Sequence, residues 1–357
     1  MANNKTERVL MKGNEALAEA AIRCGCQCYF GYPITPQSEI AAYMSKRMPK
    51  EGRVFLQAES EIAAINMVYG AAASGVRAMT SSSSPGVSLK SEGISYLAGS
   101  DLPCLIVNVM RGGPGLGGIQ PAQSDYYLAT KAGGHGDFSM LVFAPSSVQE
   151  MADYAVKAFD EADKWRMPAM ILTDGLLGQM MEPVTFKDSY STPIEKPWAC
   201  VGHDNKREHN IINSLYLKPQ ELEDSNIARY KRYELIKEQL PEAETFMTED
   251  ADIIVTGYGA CARISRNAVI AARAEGIKAG LIRPITLWPF PNKVYREAAN
   301  TAKAFLDVEL SMGQMVDDVR LATECTRPVK FYGRTGGIIP TPNDIFEQIK
   351  ALAKEVL

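Results

Sequence analysis

In Y-P-I-T-P (32–36) a threonine stands between two prolines, straight after an apolar run. Proline fixes φ and removes a backbone donor, so this stretch ends a strand abruptly and presents the hydroxyl of Thr35. Glu61 stands where V-F-L-Q-A-E-S meets the apolar run E-I-A-A-I-N-M-V-Y-G-A-A-A. A helix N-terminus favours a carboxylate for electrostatic reasons alone, so spacing does not separate a plain helix-start charge from a functional acid. Glu59 competes with it for the cap. Arg111 opens the glycine-rich R-G-G-P-G-L-G-G-I-Q-P. That loop lacks both the G-x-G-x-x-G spacing that opens a helix and the Gly-Lys-Ser/Thr of a phosphate cradle. A flexible lid over a bound ligand, with Arg111 as an anion anchor, suits it better.

Other chemistries find less support. His135, His203 and His209 share no ligand spacing, and the serines at 81–84 lack the G-x-S-x-G elbow of a hydrolase. Cys24, Cys26 and Cys28 form C-x-C-x-C, whereas metal and cluster loops need a wider spacing to wrap an ion. Running into Y-F-G-Y-P, they read as small buried or half-buried residues. An odd number of scattered cysteines, 7 in all, does not make a secreted disulfide framework. A net charge of −4 with no basic run argues against nucleic acid. No apolar stretch reaches the roughly 18 residues of a membrane span. The opening M-A-N-N-K-T-E-R-V-L lacks the apolar core of a signal peptide, so a cytoplasmic location is expected.

The elements that must carry these residues alternate. M-K-G-N-E-A-L-A-E-A-A-I-R-C-G predicts a helix with Asn14 as N-cap, and C-Q-C-Y-F-G-Y-P a strand. T-P-Q-S-E-I-A-A-Y-M-S-K-R-M follows as a helix with Pro36 in its first turn. Three more strands, V-F-L-Q-A-E-S, V-R-A-M-T and C-L-I-V-N-V-M, are separated by helices, and P-A-M-I-L-T-D closes the series. Short apolar strands between helices predict an α/β fold with a mainly parallel sheet covered on both faces. Ligands of such sheets bind beyond the carboxyl ends of the strands, which is where Thr35, Glu61 and Arg111 fall. The chain of 357 residues suits two domains. The expected boundaries are 1–190 for the first, 191–248 for a linker with a charged helix, and 249–357 for a smaller α/β domain. The charged stretch E-L-E-D-S-N-I-A-R-Y-K-R-Y-E-L-I-K-E-Q suits a helix that bridges domains, packs on another chain, or is simply solvated.

M-K-G-N-E-A-L-A-E-A-A-I-R-C-G with Y-F-G-Y-P-I-T-P-Q-S-E-I resembles the α subunit of 2-oxoacid:ferredoxin oxidoreductases. Q-A-E-S-E-I-A-A-I-N-M-V-Y-G, V-N-V-M-R-G-G-P-G-L-G-G-I-Q-P-A-Q-S-D, L-T-D-G-L-L-G-Q-M-M-E-P, G-L-I-R-P-I-T-L-W-P-F-P and F-Y-G-R-T-G-G-I-I-P-T-P extend the similarity over nearly the whole chain. Within that family it is most similar to the type acting on 2-ketoisovalerate. The resemblance implies a first domain like the pyrimidine-binding domain of thiamine diphosphate enzymes and a second like the transketolase C-terminal domain. It implies oxidative decarboxylation of a 2-oxoacid, transfer of the acyl group to coenzyme A, and delivery of electrons to ferredoxin. It also implies that the diphosphate and magnesium are held by a partner β subunit. This chain agrees by omission, because its Asp174-Gly175 lacks the rest of a GDG…N motif. Iron–sulfur clusters would lie on partner chains only, ferredoxin-like and γ subunits would complete the complex, and a homodimer of the α chain is compatible with it.

By the family pattern S-E-[IA]-[AG]-A, here Ser60 to Ala64, Glu61 would contact N1′ of the aminopyrimidine and favour its imino tautomer. Tyr32, Pro33 and Ile34 would line the cofactor. Thr35, Arg111 and Gly112 would face the substrate, with Arg111 on the 2-oxoacid carboxylate. No metal ligand is expected on this chain. Pyruvate, 2-oxoglutarate or an aryl pyruvate as substrate, a non-catalytic structural subunit, and a stand-alone α/β binding protein remain as alternatives.

Overall fold

The computed structural model of the protein describes residues 8–131, 133–187, 190 and 194–357. A seven-stranded sheet carries the first half. From one edge to the other its order is Thr286–Trp288, Leu141–Phe143, Pro168–Asp174, Cys104–Met110, Ala78–Ser82, Cys28–Gly31 and Val54–Gln57. Every pairing is parallel except that of Thr286–Trp288 with Leu141–Phe143. The central strands Cys104–Met110 and Pro168–Asp174 are buried at every residue, which is why they read as mainly apolar runs, interrupted at Asn108 and ending in Thr173 and Asp174. Helices Gly13–Arg23 and Val148–Trp165 build the core on one face, and Glu61–Ala73 and Pro85–Gly99 on the other.

The second sheet runs Val329–Gly333, Ala304–Glu309, Ile253–Thr256, Ala279–Pro284 and Ala243–Phe246, the last pairing antiparallel. Helices Gly259–Ala274 and Pro342–Val356 cover one face of it. This sheet begins inside the segment 191–248, at Ala243–Phe246, and residues 191–193 at the expected first boundary lie outside the described residues. The stretch 279–291, which reads as one strand and a loop, makes two strands in two different sheets. Pro284 ends the first, and Ile285 then hands the chain across to Ala144. Gln123 ties the units again: its amide donates to Tyr258 O (2.8 Å), its backbone N–H to Leu310 O (2.8 Å), and its side-chain oxygen accepts from Leu310 N (3.1 Å).

Three local expectations need correction. Asn14 is not a cap; Lys12 holds that position, and Asn14 is buried inside the helix, donating to Pro36 O at 2.9 Å. Pro36 does not open its helix, which starts at Ser38; the Thr35–Pro36 peptide is cis and lies in the preceding turn. Ser60, not Glu59, caps the helix that Glu61 starts, accepting from Ala63 N at 3.1 Å. The charged helix Pro219–Gln239 packs on its own chain through one stripe, Arg229, Tyr233 and Ile236. Arg229 donates to Asp101 Oδ1 (3.2 Å) and Gly99 O (3.1 Å), so part of the contact is made by a charged side chain and is invisible to a hydrophobic pattern.

Candidate active site

The turn after Cys28–Gly31, the start of the helix after Val54–Gln57, the serines after Ala78–Ser82 and the loop after Cys104–Met110 all leave from the carboxyl ends of neighbouring parallel strands. The Y-P-I-T-P turn is pinned from beneath by a chain of side chains. Tyr29 OH lies 2.6 Å from Ser81 Oγ, which donates to Gln37 Oε1 at 2.6 Å, and Gln37 Nε2 donates to Tyr32 O at 3.2 Å. With Ser81 spending its proton on Gln37, Tyr29 is the donor to Ser81. Tyr32, Pro33 and Thr35 are exposed on the rim and Ile34 is half-buried.

Arg111 is 7% exposed and has no carboxylate partner among the described residues. Its Nη1 donates to Thr35 O (3.1 Å) and its Nη2 to Leu116 O (3.0 Å), so the arginine ties the glycine-rich loop to the Y-P-I-T-P turn. Its Nε–H is buried without an acceptor among the described residues. A buried cation with a spare donor is a place where an anion is favoured. The loop itself closes on Gly112, whose N–H reaches Gln120 O (3.1 Å) and whose carbonyl accepts from Gly118 N (2.9 Å). Gly117 at φ +58° sits so close to the Gly112 carbonyl that only glycine fits there. Behind it Ser84 donates to Asp125 Oδ2 (2.6 Å), and Asn108 Nδ2 holds the same oxygen (2.9 Å). Thr35 and Pro36 border a groove of 550 Å³ whose other walls include Ile119, Gln120, Pro121, Leu176, Gln179, Met180 and Ile339.

Glu61 is 6% exposed in the first turn of its helix, and its carboxylate has no hydrogen-bond partner among the described residues. It faces Gly86 of the next helix: a Cβ at that position would lie 2.6 Å from Glu61 Oε1 and 2.1 Å from Ser82 Oγ. Ser82 Oγ borders the same gap, and the hydroxyls of Ser82 and Ser83 are buried without a hydrogen-bond partner among the described residues. Gly86→Ala is therefore expected to displace the carboxylate and lower turnover roughly 10-fold while the protein still folds, since small misplacements at a reacting centre are costly. Steady-state kinetics with a thermal melt checks this; wild-type turnover would show that the gap at Gly86 is not needed.

The structure thus joins Thr35 and Arg111 by a hydrogen bond and sets Glu61 on the same rim, at the neighbouring strands. Two contributors escaped the sequence, Gly86 and the Ser84–Asn108–Asp125 support, and so did the full burial of Lys90 one turn beyond Gly86. The one available signal was a lysine and two glycines inside a small-residue helix, P-G-V-S-L-K-S-E-G. Elsewhere, His203 and His209 meet with ring centroids 4.3 Å apart in an exposed loop, a contact their spacing did not suggest. The described residues contain no group of three or more metal-capable side chains.

Residues 19–245 match the family described as pyruvate flavodoxin/ferredoxin oxidoreductase, thiamine diP-binding, and residues 251–345 match pyruvate:ferredoxin oxidoreductase core domain II. The chain belongs to the pyruvate flavodoxin/ferredoxin oxidoreductase family. It is 49% identical over 345 residues to the ketoisovalerate oxidoreductase subunit VorB of Methanothermobacter thermautotrophicus, covering 96% of this chain and 97% of that one. It is 34% identical to the 2-oxoglutarate synthase subunit KorA of Methanothermobacter marburgensis, covering 97% of this chain and 100% of that one. Among solved structures, the 2-oxoglutarate:ferredoxin oxidoreductase of Magnetococcus marinus, with 2-oxoglutarate, coenzyme A and succinyl-CoA bound, superposes with a TM-score of 0.84 at 26% identity. That match covers 97% of this chain and 65% of that chain's length. A split-gene transketolase superposes with a TM-score of 0.60 at 15% identity, a likeness of fold alone. As a member of this oxidoreductase family the chain is an enzyme subunit, and the expected thiamine diphosphate-type α/β fold with a transketolase-like relative is borne out. No helix among the described residues is long and apolar enough to cross a membrane.

Proposed function

We propose that this chain supplies the aminopyrimidine end of the site in a thiamine diphosphate-dependent 2-ketoisovalerate:ferredoxin oxidoreductase, with residues 1–190 as the pyrimidine-binding unit, 249–357 as the transketolase C-terminal-like unit, and 191–248 as a linker whose last strand, Ala243–Phe246, joins the second unit's sheet. The observation that carries it is the pairing on one rim of a carboxylate without a partner, Glu61, with a buried arginine without a counter-ion, Arg111, among the described residues. When bound, the cofactor supplies a carbon nucleophile for the 2-oxo carbon and a sink for the electrons left as carbon dioxide departs. Glu61 exchanges a proton at ring atom N1′, and the unpartnered hydroxyls of Ser82 and Ser83 fit the remaining polar edge. Tyr32, Pro33 and Ile34 wall the ring. The Nε–H of Arg111 takes the substrate carboxylate, with Thr35 and Gly112 beside it.

Two further observations support the division of labour. Asp174 Oδ1 caps its own helix, accepting from Leu176 N (2.8 Å) and Leu177 N (3.2 Å), and burial pushes its carboxyl up to about 6. In this reading a partner β subunit carries diphosphate and magnesium. Cys24, Cys26, Cys104 and Cys261 are buried with their thiols pushed up by burial, Cys24 to about 12, which fits iron–sulfur clusters held by ferredoxin-like and γ partner chains. The complex works in the cytoplasm on a 2-oxoacid and coenzyme A, and an α-chain homodimer fits the same scheme.

The groove beside Thr35 contains no lysine or arginine among its lining residues, and Pro36, Ile119, Pro121, Leu176, Met180 and Ile339 suit a branched aliphatic side chain. A second carboxylate there would be desolvated without a partner. Assays of the co-purified complex with 2-oxoacids, coenzyme A and a viologen dye are expected to favour 2-ketoisovalerate over 2-oxoglutarate at least ~100-fold in kcat/KM. Equal use of both would overturn the substrate assignment.

A further inference from the structure

Ser84 stands between the strand Ala78–Ser82 and the helix Pro85–Gly99 with φ +20° and ψ −81°, a backbone that a residue with a Cβ adopts only under strain. Three neighbours hold it there. Its N–H donates to Asn108 Oδ1 (3.1 Å), and its Oγ accepts from Arg111 N (3.0 Å). Its hydroxyl has one proton, and the shorter contact, to Asp125 Oδ2 (2.6 Å), takes it in preference to Arg111 O (3.2 Å). Asn108 Nδ2 donates to the same Asp125 oxygen (2.9 Å), which closes a ring of Ser84, Asn108 and Asp125 against the backbone of Arg111. Asp125 is gripped in turn from the second unit. Gln314 donates from Nε2 to Ser124 O (2.8 Å) and accepts through Oε1 from Tyr127 N (2.8 Å), so one side chain holds the backbone on both sides of Asp125. The N–H of Gln314 donates to Oε1 of the fully buried Glu309 (2.9 Å). Other contacts already dock the two units: Gln123 bonds to Tyr258 and Leu310, and Asp318 receives Tyr126 and Lys131.

We propose that Gln314 and Asp125 are positioning residues for Arg111: Gln314 fixes Asp125, Asp125 fixes Ser84, and Ser84 sets the backbone from which the guanidinium reaches out. This rests on Arg111 being the group that takes the substrate carboxylate. A hydrogen-bonded path then runs from Glu309 in the second unit to Gln314, to Ser124 and Tyr127, and through Asp125 and Ser84 to Arg111. The strain at Ser84 supports it. Glycine takes a positive φ at less steric cost, so folding alone favours glycine at this position; what serine adds is the hydroxyl that joins Arg111 to Asp125. The guanidinium commits Nη1 to Thr35 O and Nη2 to Leu116 O and keeps Nε–H spare, so a shift of its backbone re-aims that N–H.

The test uses the assembled complex. KM and kcat for the 2-oxoacid are measured beside thiamine diphosphate affinity by calorimetry. Gln314→Ala and Asp125→Ala are each expected to raise KM about 10-fold, with kcat and cofactor affinity within about 2-fold of wild type. Asp125→Asn keeps an acceptor oxygen for Ser84 and Asn108, and is expected to restore most of the wild-type KM. In an Arg111→Ala background neither alanine change is expected to raise KM further, because the group they aim is gone. Ser84→Gly removes the hydroxyl where glycine suits the backbone; it is expected to give the same rise, and decides the matter if the alanine variants do not assemble. A wild-type KM in these variants, an equal further rise in the Arg111→Ala background, or a cofactor affinity that falls in step with KM would overturn the positioning role. An unchanged KM in Arg111→Ala alone would instead remove the role of Arg111 itself, so the two failures are distinguishable.

Discussion

Glu61→Gln is expected to lower turnover of the complex by about 10³-fold, the middle of the range for losing a positioned acid–base group. The carboxamide keeps the shape and the hydrogen-bonding reach of the side chain, and the gap opposite Gly86 accepts it. What it loses is a proton that can be shared with a ring nitrogen. Folding should hardly notice. Glu61 makes no hydrogen bond or ion pair among the described residues, and its helix keeps the Ser60 cap. The remaining loss is one first-turn charge at a helix N-terminus, about 0.3–1 kcal/mol. Turnover, cofactor content and melting temperature measured on the same preparation separate the two effects. Normal turnover with normal cofactor content would remove the central assignment.

Arg111→Ala is expected to raise KM for the 2-oxoacid about 100-fold, the scale of a lost charge-assisted contact of 2–3 kcal/mol, and to change thiamine diphosphate affinity much less. The asymmetry follows from geometry. Arg111 hangs from the strand Cys104–Met110 and reaches Thr35 O, whereas the Glu61 corner is built by two helices and the serines after Ala78–Ser82. Part of the loss will be indirect, because the same guanidinium holds Leu116 O and so the glycine-rich loop. Arg111→Lys separates the contributions: it restores charge without the planar group that holds Thr35 O and Leu116 O while leaving Nε–H free, and is expected to recover only part of KM. An unchanged KM in the alanine variant would show that the substrate carboxylate is bound elsewhere.

The candidate rim is largely legible in the amino-acid sequence because its residues mark local boundaries. Thr35 follows a strand end written by Pro33 and Pro36, Glu61 starts a helix directly after a cap serine, and Arg111 closes a seven-residue apolar strand. Each boundary is set by neighbours within a few residues, by φ restriction, capping and hydrophobic period, so the chain alone states it. The parallel order of the strands then brings such boundaries to one edge.

The rest depended on partners far away in the chain. Whether Asn14 caps a helix or supports Pro36 is decided by how Gly13–Arg23 meets the turn at 32–36. Whether I-T-L-W continues a strand or crosses to the other sheet depends on an open edge at Leu141–Phe143. A stripe containing Arg229 looks solvated until Asp101 and Gly99 are there to receive it. Gly86 and Lys90 are the sharpest cases: in sequence they are a small residue and a charge in a helix, and only packing of Pro85–Gly99 against Glu61–Ala73 turns one into space for a carboxylate and the other into an enclosed cation. Local propensity tells where a chain turns; burial, which gives a polar group its energetic meaning, is a property of the assembled fold.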